Sequence, residues 1–139
     1  MKKKILFIDD LSDKDRNYIS VLEKEYDVDV TAYIRTARKK LQPPQIYELI
    51  VLDIMMPTLG LFTEEETKNG LITGLVYYEK ELKDMNIPVL FWSRNENFEK
   101  EVDEKKWVNT RFLQRNLDVN HLLEGVNNFL TTLKNKNLC

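Results

Sequence analysis

The chain has one cysteine, one histidine, four glycines and four prolines among 139 residues. A lone thiol, Cys139, cannot close an internal disulfide, so the fold has to hold without staples, and a reducing, cytoplasmic setting is expected. A lone histidine, His121, is a poor start for a zinc centre, which needs several nitrogen or sulfur ligands. No glycine-rich phosphate loop of either common type occurs, which weighs against nucleotide binding. Neither sign of charge dominates: 21 Lys and Arg face 23 Asp and Glu, for a net charge of −2. That balance speaks against a protein that coats nucleic acid or a membrane surface. Long apolar runs are missing too, and none approaches the roughly 18 residues of a membrane-spanning helix. The apolar stretch after Lys4 stops at Ile8, well short of the roughly seven to fifteen residues of an export signal.

The runs that do occur are short and follow a pattern. Ile5-Leu6-Phe7-Ile8, Leu49-Ile50-Val51-Leu52 and Val89-Leu90-Phe91-Trp92 are continuous apolar segments, as expected of strands buried on both faces. Val28–Tyr33 and Arg111-Phe112-Leu113 read as two further strands. Helical spacing connects them. Ser12 and Asp15 form a capping-box signature ahead of Tyr18, Ile19, Leu22 and Tyr26. Ile34, Ala37 and Leu41 mark a second helix. Gly70 is expected to open a third, and residues 95–106 a weak, charged fourth. Asp118 is expected to cap a last helix striped by Val119, Leu122, Leu123, Val126, Phe129 and Leu130. Five strands alternating with five helices imply an α/β fold: a parallel sheet with helices on both faces. The length fits a single domain spanning 1–139, with a long polar loop at 58–69 and no output domain.

Polar residues stand where the buried strands stop: Asp9 and Asp10, Asp53, Ser93 and Arg115. In an open parallel sheet these ends share one edge, where ligands bind. Clustered carboxylates repel one another, and a hard divalent cation such as Mg²⁺ relieves that repulsion while leaving room for phosphate oxygens. Such an edge suits phosphoryl transfer to a carboxylate nucleophile.

Residues 5–10, 49–57, 88–93 and 112–115 together resemble the receiver domain of two-component response regulators. Leu52-Asp53-Ile54-Met55-Met56-Pro57 is the most specific part of the match. The resemblance implies a doubly wound, flavodoxin-like sheet of order 2-1-3-4-5. It implies that Asp53 accepts phosphate from a histidine kinase or histidine phosphotransfer protein. Mg²⁺ would be held by Asp10, Asp53 and the carbonyl of Met55, with Asp9 acting through a bound water. Ser93 stands at the switch hydroxyl and Phe112 at the switch aromatic. A downstream protein partner would read the phosphorylated state. The resemblance also implies a monomer or weak dimer with no direct nucleic-acid contact. An alternative is a degenerate receiver that binds a partner without phosphorylation. An aspartate-nucleophile phosphatase fits less well, because its paired acids are not adjacent.

The chain departs from the family in three places. Arg115 replaces the usual lysine and Asn116 the proline after it, so a trans bond is expected at 115–116. The family's glycine after the aspartate-to-proline string is matched to Gly70, which makes 58–69 an insertion carrying Glu64, Glu65 and Glu66. This acidic loop is expected to be solvated or to overhang the site. Arg94 follows the hydroxyl where a small residue is common, and Met55 cannot orient a water. Slow loss of phosphate is therefore expected.

Overall fold

The structure is a computed structural model that describes residues 2–10 and 16–137. Its order is β1 (Lys3–Ile8), α1 (Arg16–Leu22), β2 (Tyr26–Thr31), α2 (Ile34–Lys40), β3 (Leu49–Asp53), α3 (Glu64–Thr67) and α4 (Thr73–Tyr77). Then come β4 (Val89–Ser93), α5 (Asn97–Lys105), β5 (Thr110–Gln114) and α6 (His121–Asn137). After α4 the helix widens into a π-turn over Tyr78–Leu82 and tightens into a 3₁₀ turn over Lys83–Met85. The expected capping box at Ser12 and Asp15, like Cys139, lies outside the described residues.

All four strand pairings are parallel, and the strand order is β2-β1-β3-β4-β5. Alternate residues of each central strand enter opposite layers, as the pleat requires. Leu6, Ile8, Ile50, Leu52, Val89, Phe91 and Phe112 pack with Ile34 and Ala37 of α2, Leu75 and Tyr77 of α4, and Phe98 and Val102 of α5. On the other face, Ile5, Phe7, Leu49, Val51, Leu90 and Trp92 meet Tyr18, Ile19 and Leu22 of α1 and Leu122, Val126 and Phe129 of α6. Continuous apolar runs thus serve two cores at once. Trp92 belongs to the α1–α6 layer. Trp107 packs on the other layer, beside Tyr78 and Phe91.

Two boundaries differ from the sequence reading. The second strand runs Tyr26–Thr31 rather than 28–33, because Tyr26 pairs with Lys3 and is buried while Tyr33 is exposed. The third main helix begins at Thr73, not Gly70. Gly70 sits at φ +88°, a left-handed conformation incompatible with a right-handed helix. Leu71 lies outside the helix and is exposed.

The loop after β3 is built rather than merely solvated. Its single helical turn, α3, carries a full capping box: the Thr63 hydroxyl accepts from the Glu66 amide, and the Glu66 carboxylate accepts from the Thr63 amide. Phe62 is buried against Tyr77, and Lys80 pairs with Glu66 at 2.8 Å. Glu64 accepts a 2.8 Å hydrogen bond from the Thr58 hydroxyl. Glu64 and Glu66 therefore brace the loop itself.

Gly74 fixes how α4 meets the sheet. Its amide donates to the Ile54 carbonyl at 2.8 Å, and a Cβ there would lie 2.2 Å from the Asp53 carbonyl oxygen. Gly74→Ala should therefore push α4 off the end of β3 and cost about 1–3 kcal/mol, the usual range for overpacking. Urea denaturation of the two proteins checks this.

Candidate functional site

Register alone brings the acidic strand ends together. Ile8 pairs with Leu52, so Asp9 and Asp53 follow each other across adjacent strands. The Asp9 amide donates to the Thr31 carbonyl at 3.0 Å, which pins this residue at the edge. Asp9 is only 1% exposed, and its carboxyl lies close enough to that of Asp53 for each to perturb the other's titration. The Met55 amide donates to Asp53 Oδ1 at 3.2 Å.

The pair titrates high. Burial is the main cause for Asp53, and the charge of Asp9 adds to it, pushing Asp53 up to about 8. Burial also raises Asp9, to about 6, while Arg115 pulls the other way. Asp10 is exposed and acts on both through its charge. Of the three carboxylates expected to converge, two are in contact and the third stands at the solvent side.

The cation follows from the β4–β5 pairing. Ser93 pairs with Gln114, and the Arg115 amide donates to the Ser93 carbonyl at 2.8 Å. The Arg115 side chain is 10% exposed, and its Nη1 lies 3.7 Å from Asp9 Oδ2. Burial lowers the Arg115 pKa, and Asp9 opposes that shift. The 115–116 bond is trans, as expected; among the described residues the cis bond is Pro43–Pro44.

Ser93 and Phe112 are both buried, at 3% and 8% exposure. The Ser93 hydroxyl accepts from the Asn95 amide at 3.2 Å. Phe112 lies in the same layer as Phe91, Phe98 and Val102, so this aromatic faces inward. Arg94 is exposed, yet its charge reaches Asp9.

Among the described residues, no group of three or more His, Cys, Asp or Glu side chains is arranged to hold a metal ion. Two features nevertheless fit Mg²⁺. Asp9 Oδ2 is buried and makes no hydrogen bond, which is costly for a carboxylate oxygen. Mg²⁺ also needs only one or two carboxylates, filling its remaining positions with water and phosphate oxygens. Asp9 and Asp53 stand close enough to offer such a pair, with the exposed Asp10 at the rim and the Met55 backbone two residues beyond Asp53.

Three residues at this edge were not singled out for the site from the sequence. Gly74 has its signal in the sequence, a glycine ahead of an apolar helical stretch, but Gly70 offers the same signal four residues earlier. Tyr18 and Trp92 border Arg115 yet carry only the spacing of core residues.

No family model and no curated protein sequence matches the chain. Solved structures do. The signal receiver domain of a Luxo repressor protein from Vibrio parahaemolyticus superposes with a TM-score of 0.68 at 17% identity, over 99% of this chain and 97% of that one. The chemotaxis response regulator CheY4 of Vibrio cholerae gives 0.66 at 21% identity, over 93% and 99%. A CheY-like response regulator receiver domain protein from Methanospirillum hungatei JF-1 gives 0.66 at 16%, over 98% and 99%. The chain therefore has the receiver-domain fold. Among the described residues, no helix is long and apolar enough to cross a membrane.

The raised carboxyls make stability depend on pH. The folded state binds these protons more tightly than the unfolded chain, whose carboxyls titrate near 4. That contribution is complete below pH 4 and is lost as pH rises through about 6 and then about 8. In metal-free buffer the denaturation midpoint should fall between pH 5 and pH 9. Asp53→Asn should flatten the fall and be the more stable protein at pH 9. Urea titrations with EDTA at both pH values check this.

Proposed function

We propose that this chain is a phosphoacceptor signalling protein of a two-component system or phosphorelay, with Asp53 as the acceptor. The observation that carries this reading is the adjacent Asp9–Asp53 pair at the carboxyl edge of the sheet, with Arg115 beside Asp9. The receiver-domain fold supports it, as do the structural neighbours, one of them a chemotaxis response regulator. The donor would be a histidine kinase or histidine phosphotransfer protein. An Asp53 carboxylate oxygen bonds to phosphorus while the bond from phosphorus to the donor's imidazole nitrogen breaks. The donor leaves with the bonding electrons.

Asp9, Asp10, Asp53 and the Met55 carbonyl are the groups that would hold Mg²⁺. Bound there, it would supply positive charge against the phosphoryl oxygens and draw Asp53 into its ionised, nucleophilic form. Arg115 offers a second cation, and the Ser93 hydroxyl a donor that follows the phosphoryl group. Movement of the segment after Ser93 changes the room available to Phe112. Phosphorylation then acts by shifting the population of this arrangement. A downstream protein partner reads the surface of α5, β5 and α6. The activity is that of a receiver, limited to taking up and losing phosphate, in a cytoplasmic monomer or weak dimer.

Incubation with Mg²⁺ and acetyl phosphate should add one phosphoryl group by intact mass, and Asp53→Asn should abolish the addition. An unmodified protein at saturating Mg²⁺ would shift the reading to a phosphorylation-independent interaction module. Arg94 follows the switch hydroxyl, and its bulk would obstruct the path of the attacking water, so phosphate should be lost slowly. Arg94→Ala should speed that loss several-fold in a stopped-phosphorylation time course, and equal rates would remove Arg94 from the explanation.

A further inference from the structure

Arg115 is held by more than its carboxylate. Its guanidinium carbon lies 5.8 Å from the centre of the Tyr18 ring and 5.7 Å from that of the Trp92 ring. The two rings meet edge to face, 5.6 Å apart at 73°, so the guanidinium sits in the corner they form. Both rings are buried, and the arginine side chain is nearly so. In such a desolvated corner, attraction between a cation and an aromatic face is at its strongest. The backbone is pinned as well. The Tyr18 hydroxyl donates to the carbonyl of Asn116, the residue after Arg115, and the Arg115 amide donates to Ser93. Helix α1 and strand β4 thus converge on a single residue of the β5–α6 connection.

We propose that Tyr18 and Trp92 are positioning residues that select arginine at 115 and aim its guanidinium at the phosphoryl group on Asp53. The inference rests on Asp53 being the acceptor. Its chemistry is that of guanidinium against ammonium. A flat, weakly hydrated guanidinium stacks on rings and still presents a fork to phosphate oxygens, whereas a compact ammonium keeps its water. The aromatic corner accounts for a cation that departs from lysine. It also replaces, as a constraint on the loop, the proline that Asn116 displaces.

The test is phosphoryl uptake from acetyl phosphate at saturating Mg²⁺, combined with NMR of the Arg115 side chain. Tyr18→Leu removes one face of the corner and should slow uptake by about tenfold, the scale of one desolvated cation–ring contact. Tyr18→Phe keeps the face and should restore most of the rate. Arg115→Lys should lose about as much as Tyr18→Leu. In an Arg115→Gln background, Tyr18→Leu should cost nothing further, since the ring acts only through the guanidinium. In the unphosphorylated protein, the Arg115 Nε–H resonance should be shifted by the rings, and Tyr18→Leu but not Tyr18→Phe should release it.

Equal losses from Tyr18→Leu in both backgrounds, or an Arg115 resonance at the position of a solvent-exposed arginine, would overturn the proposal. A wild-type protein that takes up no phosphoryl group while its Arg115 resonance is shifted would overturn the acceptor reading, and the role assigned to the corner with it. Additive losses in a protein that is phosphorylated would overturn the corner alone.

Discussion

Two carboxyl groups held side by side, Asp9 buried and Asp53 half-buried, set the terms for the rest of this edge of the molecule. Neither strand would place them there for stability. Burial raises both, and one Asp9 oxygen is left without a hydrogen bond. The surroundings limit the cost. Arg115 stands 3.7 Å from that oxygen, and the Met55 amide hydrogen-bonds Asp53. The apolar interior of β1, β3 and β4 supplies the rigidity that holds the groups in place.

The same edge constrains the chain around it. Helix α4 approaches so closely that only a residue without a side chain fits at Gly74. The long connection from β3 must therefore end in a fixed orientation, and it is braced to do so. Thr73 Oγ1 donates back to the Met56 carbonyl at 2.5 Å, and Phe62 seats the far side of the loop against Tyr77. The acidic residues that looked free to overhang the site are partly committed: Glu64 to Thr58, and Glu66 to Lys80 and Thr63.

Much of this was legible in the sequence, and for identifiable reasons. The three apolar runs could be read because a central parallel strand is buried on both faces and leaves an uninterrupted signal. Asp9, Asp53 and Ser93 could be read because each ends such a run, Arg115 because it follows the last strand, and parallel pairing gathers those ends. The start of α4 could not be read. Gly70 and Gly74 look alike in a string of letters, and only the turn at φ +88° and the carbonyl of Asp53 tell them apart. Nor could the corner around Arg115 be read. Tyr18, Trp92 and Arg115 lie on three separate elements, and their spacing carries nothing but core periodicity. The separation of the exposed Asp10 from Asp9 and Asp53 depends on side-chain exposure, which an adjacent pair of aspartates does not disclose.

The two tryptophans lie on opposite sides of the sheet. Trp92 belongs to the layer of α1 and α6 and touches the cation of the site, whereas Trp107 packs with Tyr78 and Phe91 in the layer that contains Phe112. The molecule thus carries two native fluorophores, one on each side of the same partition. Trp92 faces the charge at the sheet edge and Trp107 the packing of the aromatic layer behind it, so each indole is placed to sense a different side. With each indole silenced in turn, the two halves of any response can be watched separately and without a label.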